Sequence, residues 1–308
     1  MVGIILSLGL GSCGKVEPEV GGEVSKVKVV STSTIIGDLT EAVGGEEIEH
    51  QSILKPGDDP HVYEPVPADS VAFEEADLIL YNGYHLEPGL IKLMEAAGIN
   101  AKKLAVGEVV QPLQTEKEGQ KVPDPHVWGD VKNAIGMVSS LRDVLIEIAP
   151  EDEAVFRENA ASLIAELEEL DRWIAAQIAT IPENQRQLVT THDAFQYYAH
   201  AYGIPMAGTL IGISTEEQPS AQTVKNLADK IKQTGVRAIF AETTINPALI
   251  ETVAAEAGVK LAPQELYSDS IGAAGSAGDT YMKMMVANTQ SIVEALGGQY
   301  QPFQFSGE

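Results

Sequence analysis

Three histidines and one aspartate lie in segments that suit metal coordination. They are His61 in GDDPHVYEP, His126 in DPHVWGD, His192 in TTHDAF and Asp269 in YSDSI, and they are far apart along the chain. Imidazole nitrogens and carboxylate oxygens are the groups with which proteins hold zinc and related transition metals. We therefore predict one metal site that is assembled from four separate segments.

The contexts of the histidines indicate loops at the ends of strands. His61 and His126 stand among prolines, in segments that can form neither a helix nor a central strand. His192 follows QLVTT, which has the composition of a strand. In parallel α/β sheets the ligand crevice lies at the carboxyl ends of the strands. The context of Asp269, taken alone, is typical of a turn or a helix cap. Asp269 becomes a candidate metal ligand because the three histidines are present.

The elements that must position these residues follow an α/β pattern. Apolar strand segments such as KVKVVSTST and ADLILYNG alternate with amphipathic helices, which implies parallel strands. Residues 151–182 form one long helical pattern without an internal Gly or Pro. We predict an α/β fold of two similar lobes, each with a parallel sheet flanked by helices, joined by one long rigid helix. The lobes are expected at 27–150 and 183–308.

The first 26 residues have a different character. MVGIILSLGLGS is a short apolar run before Cys13, and Leu10, Gly11, Ser12 and Cys13 match the lipobox of a bacterial lipoprotein signal, although no Lys or Arg precedes the run. We expect residues 1–26 to be a signal and a flexible tether, with Cys13 as the lipidated residue. The alternative is a buried strand with an incidental cysteine. A single cysteine excludes an intrachain disulfide.

The charge of the chain limits its partners. Twenty Lys and Arg against 45 Asp and Glu give a formal net charge of −25, which repels nucleic acid and anionic lipid surfaces and attracts cations. We therefore expect no nucleic-acid partner. A solvated acidic surface accounts for most of this charge.

The four motifs, in this order and with a long helix between the second and the third, resemble the zinc- and manganese-binding lipoproteins of bacterial ABC importers, the helical-backbone metal receptors. The resemblance covers about residues 27–297. It implies that the metal lies in a cleft between the lobes, with His61 and His126 from the first lobe and His192 and Asp269 from the second. It also implies an ABC transporter permease as partner, a periplasmic or other extracytoplasmic location with a lipid anchor as the only membrane contact, and a monomer.

The metal itself is left open between Zn2+ and Mn2+. Zinc-specific members often carry a histidine-rich loop between the first two ligands, whereas residues 62–125 hold only His85. Manganese-preferring members typically place a glutamate where His192 stands. Three imidazoles and one carboxylate suit tetrahedral zinc, and a bidentate Asp269 would also suit manganese. We favour zinc.

Two other functions remain as alternatives. A zinc-dependent hydrolase would keep a coordination position for water and a general base, and the sequence has no HExxH helix or nucleophile elbow. A surface adhesin is the second, because some relatives are described so. We expect a carrier and not an enzyme. The remaining histidines (His50, His85, His200) are expected to be surface or capped side chains. Glu216 and Glu217 are expected to be solvated loop charges, and the alternative is that they line the cleft or orient a ligand.

Overall fold

The computed structural model describes residues 26–117 and 119–305. The first half is built on a parallel sheet of four strands in the order β2-β1-β3-β4. Its strands are β1 Val27–Ser31, β2 Ile48–Ser52, β3 Leu78–Tyr81 and β4 Lys102–Ala105. Its helices are α1 Thr34–Gly44, α2 Pro67–Glu75 and α3 Pro88–Ala97. The alternating α/β prediction is confirmed here.

A short antiparallel hairpin follows this sheet. It consists of β5 Gln114–Lys117 and β6 Gln120–Pro123, and it ends immediately before the segment that carries His126. The sequence pattern did not indicate this hairpin, because its strands are charged and largely exposed. Cys13, the expected lipidation site, lies outside the described residues. No helix of the described part is both long and apolar enough to cross a membrane.

The second half has shorter strands than the first. Two parallel pairs replace a continuous sheet, and they consist of β7 Leu188–Thr190 with β8 Met206–Thr209 and β9 Ala238–Ile239 with β10 Lys260–Leu261. The backbone N–H of Phe240 donates to the carbonyl of Val189 at 2.9 Å and so brings the two pairs together. The helices are α6 Gln196–Tyr202, α7 Ala221–Thr234, α8 Ala248–Ala257 and α9 Tyr281–Ala295.

The long helix predicted between the halves is α5 Glu153–Ala179, which follows α4 Val131–Ile148. Its apolar positions, among them Leu167, Leu170 and Ile174, are fully buried. It packs against α1 and α4 from the first half and against α9 from the second. One hydrophobic core therefore includes residues of both halves. The lobe boundaries at residues 150 and 182 stay a prediction.

Polar contacts also join the halves near the strand ends. The Ser270 hydroxyl lies 3.1 Å from the Thr34 hydroxyl at the start of α1 and accepts the N–H of Gly57 at 2.9 Å. The indole N–H of Trp128 donates to the Ser268 carbonyl at 3.0 Å. These bonds flank Asp269 on both sides, so the position of this aspartate is fixed by residues of the first half.

Glu87 is a buried acid in the first half, at the N-cap of α3. Its Oε1 accepts bonds from the Thr32 hydroxyl at 2.7 Å and from the Asn82 N–H at 2.6 Å. Burial raises the pKa of Glu87 from 4.5 to about 7, although both bonds lower it. At pH values between 4.5 and about 7, the Glu87 carboxyl therefore keeps its proton in the folded chain and loses it in the unfolded chain.

We expect Glu87→Gln to stabilise the protein at alkaline pH. The folded-state pKa lies above the unfolded value, so the stability associated with the proton is lost as the pH rises through about 7. Glutamine keeps the accepting oxygen without the charge. The gain in free energy of unfolding should be about 2 kcal/mol larger at pH 8 than at pH 5, measured by urea denaturation. The exposed control Glu95→Gln should change stability by less than about 0.5 kcal/mol at either pH. A gain that does not vary with pH would contradict this account.

Candidate metal centre

An Asp-Pro-His sequence occurs twice and has the same local structure both times. The Asp59 carboxylate accepts the N–H of His61 at 2.9 Å, and the Asp124 carboxylate accepts the N–H of His126 at 2.9 Å. The proline between them has a fixed φ, and the aspartate bonds the backbone two residues on, which makes a compact turn. Each turn presents its histidine beyond a strand, β2 for the first and β6 for the second.

The second half positions its histidine differently. His192 follows β7, and its N–H donates to Glu242 Oε1 at 2.8 Å. Glu242 follows β9, which lies beside β7, so the two residues meet at the carboxyl ends of neighbouring strands. Asp269 lies between the two anchored serines described above.

The four predicted residues converge. The Nε2 atoms of His61 and His126 are 3.2 Å apart. The carboxylate of Asp269 lies 3.1 Å from His192 Nε2 and 3.4 Å from His126 Nε2. One ligand atom from each residue lies within 4.8 Å of the other three. Ligands about 2.1 Å from a tetrahedral ion are roughly 3.4 Å apart, so the spacing fits a single metal ion.

All four side chains are buried. His126 and His192 are 0% exposed, Asp269 is 1% exposed and His61 is 6% exposed. Among the described residues, His192 Nε2 and both oxygens of Asp269 make no hydrogen bond of regular geometry, although His192 Nε2 and one oxygen of Asp269 are only 3.1 Å apart. Buried polar atoms are rarely left without a partner. A cation at the centre of the cluster is the partner that these donor atoms fit.

Two further carboxylates contact the Nδ1 atoms of two of the imidazoles, and those nitrogens are not the ones that face the cluster. His126 Nδ1 lies 2.8 Å from Asp124 Oδ1, and His192 Nδ1 makes a short contact with Glu242 Oε2. A carboxylate on Nδ1 fixes the orientation of the ring and leaves Nε2 free to bind a metal. The sequence analysis did not identify either residue. Asp124 could have been found from the repeated Asp-Pro-His motif, and Glu242 from its place at the end of the apolar run VRAIFAE.

The charges of the cluster depend on one another. Burial alone would lower the pKa of His192, but Glu242 and Asp269 outweigh it and raise that pKa well above its usual range. Burial would raise the pKa of Asp269, but His192, followed by His126 and His61, lowers it well below its usual range. Asp269 is therefore a carboxylate, and the cluster attracts positive charge in the form of protons or a metal ion.

The remaining candidates lie outside the cluster. His85 and His200 are exposed, as expected, and so are Glu216 and Glu217. The side chain of His50 is only 4% exposed and bridges Ser31 and Glu41, so it is hydrogen-bonded and not a surface imidazole. The sequence did not reveal this burial, because both partners of His50 come from other elements.

Comparison with known proteins gives a consistent result. The model of the family described as "Zinc-uptake complex component A periplasmic" matches residues 29–295. The manganese-binding lipoprotein MntA of Halalkalibacterium halodurans is 33% identical over 95% of this chain and 96% of its own length. The iron ABC transporter substrate-binding lipoprotein MtsA of Streptococcus pyogenes is 34% identical over 88% of this chain and 89% of its own.

Solved structures agree with the sequence relatives. The periplasmic zinc-binding protein TroA from Treponema pallidum superposes with a TM-score of 0.84 at 32% identity, over 88% of this chain and 99% of that one. This chain therefore has the same fold as TroA. Since the match covers both halves and every residue of the buried cluster, the chain belongs to the family of metal-binding substrate-binding proteins of ABC transporters, as the four motifs predicted.

Proposed function

We propose that the protein is an extracytoplasmic substrate-binding protein that captures one divalent transition-metal ion and delivers it to an ABC importer. His61, His126, His192 and Asp269 are the ligands in this proposal. The observation that carries it is the convergence of four buried ligand atoms, drawn from both halves of the chain, within 4.8 Å. The named functions of the relatives support the same role.

The geometry favours carriage of the ion over catalysis with it. Four protein ligands complete a tetrahedral shell, whereas a catalytic zinc site keeps one position for water. The supporting carboxylates of Asp124 and Glu242 contact the Nδ1 atoms of His126 and His192 and do not face the centre of the cluster. Neither is placed as a general base for a water on the metal. We therefore propose a carrier and not a hydrolase.

The donor set favours zinc over manganese in solution. Three imidazoles and one carboxylate match tetrahedral zinc, and zinc also ranks above manganese in affinity for nitrogen-containing sites. The relatives carry the names of different metals, namely manganese, iron and zinc. Manganese as the ion delivered in the cell is the second candidate, with Asp269 binding through both oxygens.

The partner and location follow from the proposed role. We propose that a lipid on Cys13 holds the protein at the outer face of the cytoplasmic membrane and that a permease receives the ion there. Lobes at 27–150 and 183–308, joined by the helix in 151–182, would present one surface each to that permease. A monomer is the form that we expect in solution.

The direct test is a metal count. The chain, stripped with chelator and offered equal zinc and manganese, should retain one equivalent of metal, with zinc in excess, by elemental analysis. His192→Ala should lose that equivalent and keep its circular dichroism spectrum. His200→Ala, an exposed histidine outside the cluster, is the matched control and should retain it. Retention of one equivalent by His192→Ala, or no metal in the wild type, would refute the proposal.

Glu242 should matter for metal affinity without binding the metal. Glu242→Gln removes the charge behind His192 Nδ1 and should weaken zinc binding about 10–100-fold, since residues that orient metal-binding histidines have effects of this size. The measurement is competition with a fluorescent zinc chelator. The exposed Glu251→Gln carries the same charge change on α8 and should leave the dissociation constant unaltered. Equal loss in both variants would contradict a local role for Glu242.

Zinc binding should strengthen as the pH rises through neutrality. The pKa of His192 is raised well above its usual range in the metal-free chain, so an ion must displace a proton that is still bound at pH 7. One displaced proton makes the association constant rise about tenfold per pH unit below that pKa. The dissociation constant should therefore fall steadily from pH 6 to pH 8. A constant value across this range would show that His192 is already neutral.

A further inference from the structure

One residue of the buried cluster borders a cavity. Of its four residues His61 is the most accessible, and it lines a cavity of about 320 Å³. Other walls of this cavity come from both halves of the chain: the segment with Val122 and Pro125 from the first half, and the segment with Ile213 and Ser214 from the second. The cavity therefore opens between the halves and reaches the imidazole of His61.

Two further lining residues carry atoms that bind metals. His85 stands in the first half after β3, and Glu216 stands in the second half after β8. Both are exposed. Much of the wall between them is apolar, with Pro88, Pro123 and Ile213. The lining of this cavity thus includes an imidazole from the first half and a carboxylate from the second, together with His61.

The backbone that presents His85 is strained. Tyr84 and His85 have φ values of 50° and 59°, in the left-handed region that side chains other than glycine seldom adopt, and Gly83 before them has φ 83°. Glu108 accepts the N–H of Tyr84 at 3.0 Å, and the Tyr84 hydroxyl donates to the Val110 carbonyl at 2.9 Å. These bonds hold the turn in place. Strain of this kind concentrates at functional sites, and burial of the His85 imidazole does not offset it.

We propose that this cavity is the passage by which a divalent cation enters and leaves the cluster, with His85 and Glu216 as residues that capture the ion during transit. The inference rests on the proposed function, since it assumes that the cluster binds a metal. Each of the two side chains replaces one water molecule bound to the ion. The ion then passes to His61, the first residue of the cluster along the path. The final site has its four ligands without them. Their removal should therefore change the rates of binding and release and leave the equilibrium constant unaltered.

The test is the rate of zinc binding to the full chain. Stopped-flow fluorescence can follow it through Trp128, whose ring centroid lies 5.5 Å from that of His126, in a Trp173→Phe background that removes the other indole. In the double variant His85→Ala/Glu216→Gln, association and chelator-induced dissociation should both slow by about tenfold, the lower end of the effect that charged clefts have on ion capture. The stoichiometry should stay at one ion and the dissociation constant within a factor of two.

A plug and a matched control complete the design. Ser214→Phe places a phenyl ring in the cavity, adds no indole to the fluorescence signal, and should slow both rates without altering the charge. Glu251→Gln with His200→Ala removes the same two groups from exposed positions outside the cavity lining and should leave both rates unchanged. Unchanged rates in His85→Ala/Glu216→Gln, or equal slowing in the control, would overturn the proposal that this cavity is the passage. Absence of zinc binding in the wild type would instead refute the proposed function.

Discussion

Burial of the Asp269 carboxylate beside three imidazoles is the constraint on which the rest of the structure depends. A buried charge is tolerated only with a partner, and among the described residues the oxygens of Asp269 face the imidazoles of His192 at 3.1 Å and His126 at 3.4 Å. A proton on His192, whose pKa is raised, balances this charge in the metal-free chain, and a divalent ion held by all four proposed ligands would take its place. Metal binding and protonation therefore compete for the same atoms.

The fold meets this constraint with rigid support and not with mobile loops. The Asp-Pro-His turns fix His61 and His126, while Glu242 fixes His192 through both its backbone and its ring. Ser268 and Ser270 tie the segment around Asp269 to the first half. Helix α5 packs on both halves within one core. Ligands held so closely in advance should lose little conformational entropy on binding, and we expect small rearrangement in place of wide closure.

Local patterns in the sequence predicted much of this arrangement. Periodicity placed the long helix at 151–182, and the structure has it at Glu153–Ala179. The proline contexts of His61 and His126 indicated loops at strand ends, which is where both lie. These predictions worked because they depend on neighbours along the chain.

Features that depend on contacts between distant parts of the chain could not be predicted from the sequence. Glu242 supports His192 only because β7 and β9 lie side by side, fifty residues apart in sequence. The second half has parallel strands, as predicted, but the sequence did not indicate that they form two short pairs, with a register shift between Leu188 and Val189. The β5–β6 hairpin was not predicted, because its charged strands lack apolar alternation and Gly119, at φ 76°, is its main turn signal. The resemblance to a known family supplied the pairing of ligands across the halves, which composition and spacing do not contain.

X-ray absorption at the zinc edge of the loaded protein tests the central claim most directly, because it reports the ligands of the ion itself. We predict a four-coordinate zinc with nitrogen and oxygen ligands at about 2.0–2.1 Å and the outer-shell scattering of three imidazoles. A six-coordinate, oxygen-rich spectrum with little imidazole scattering would contradict it, and would mean that the ion binds to the acidic surface and not to the cluster of His61, His126, His192 and Asp269.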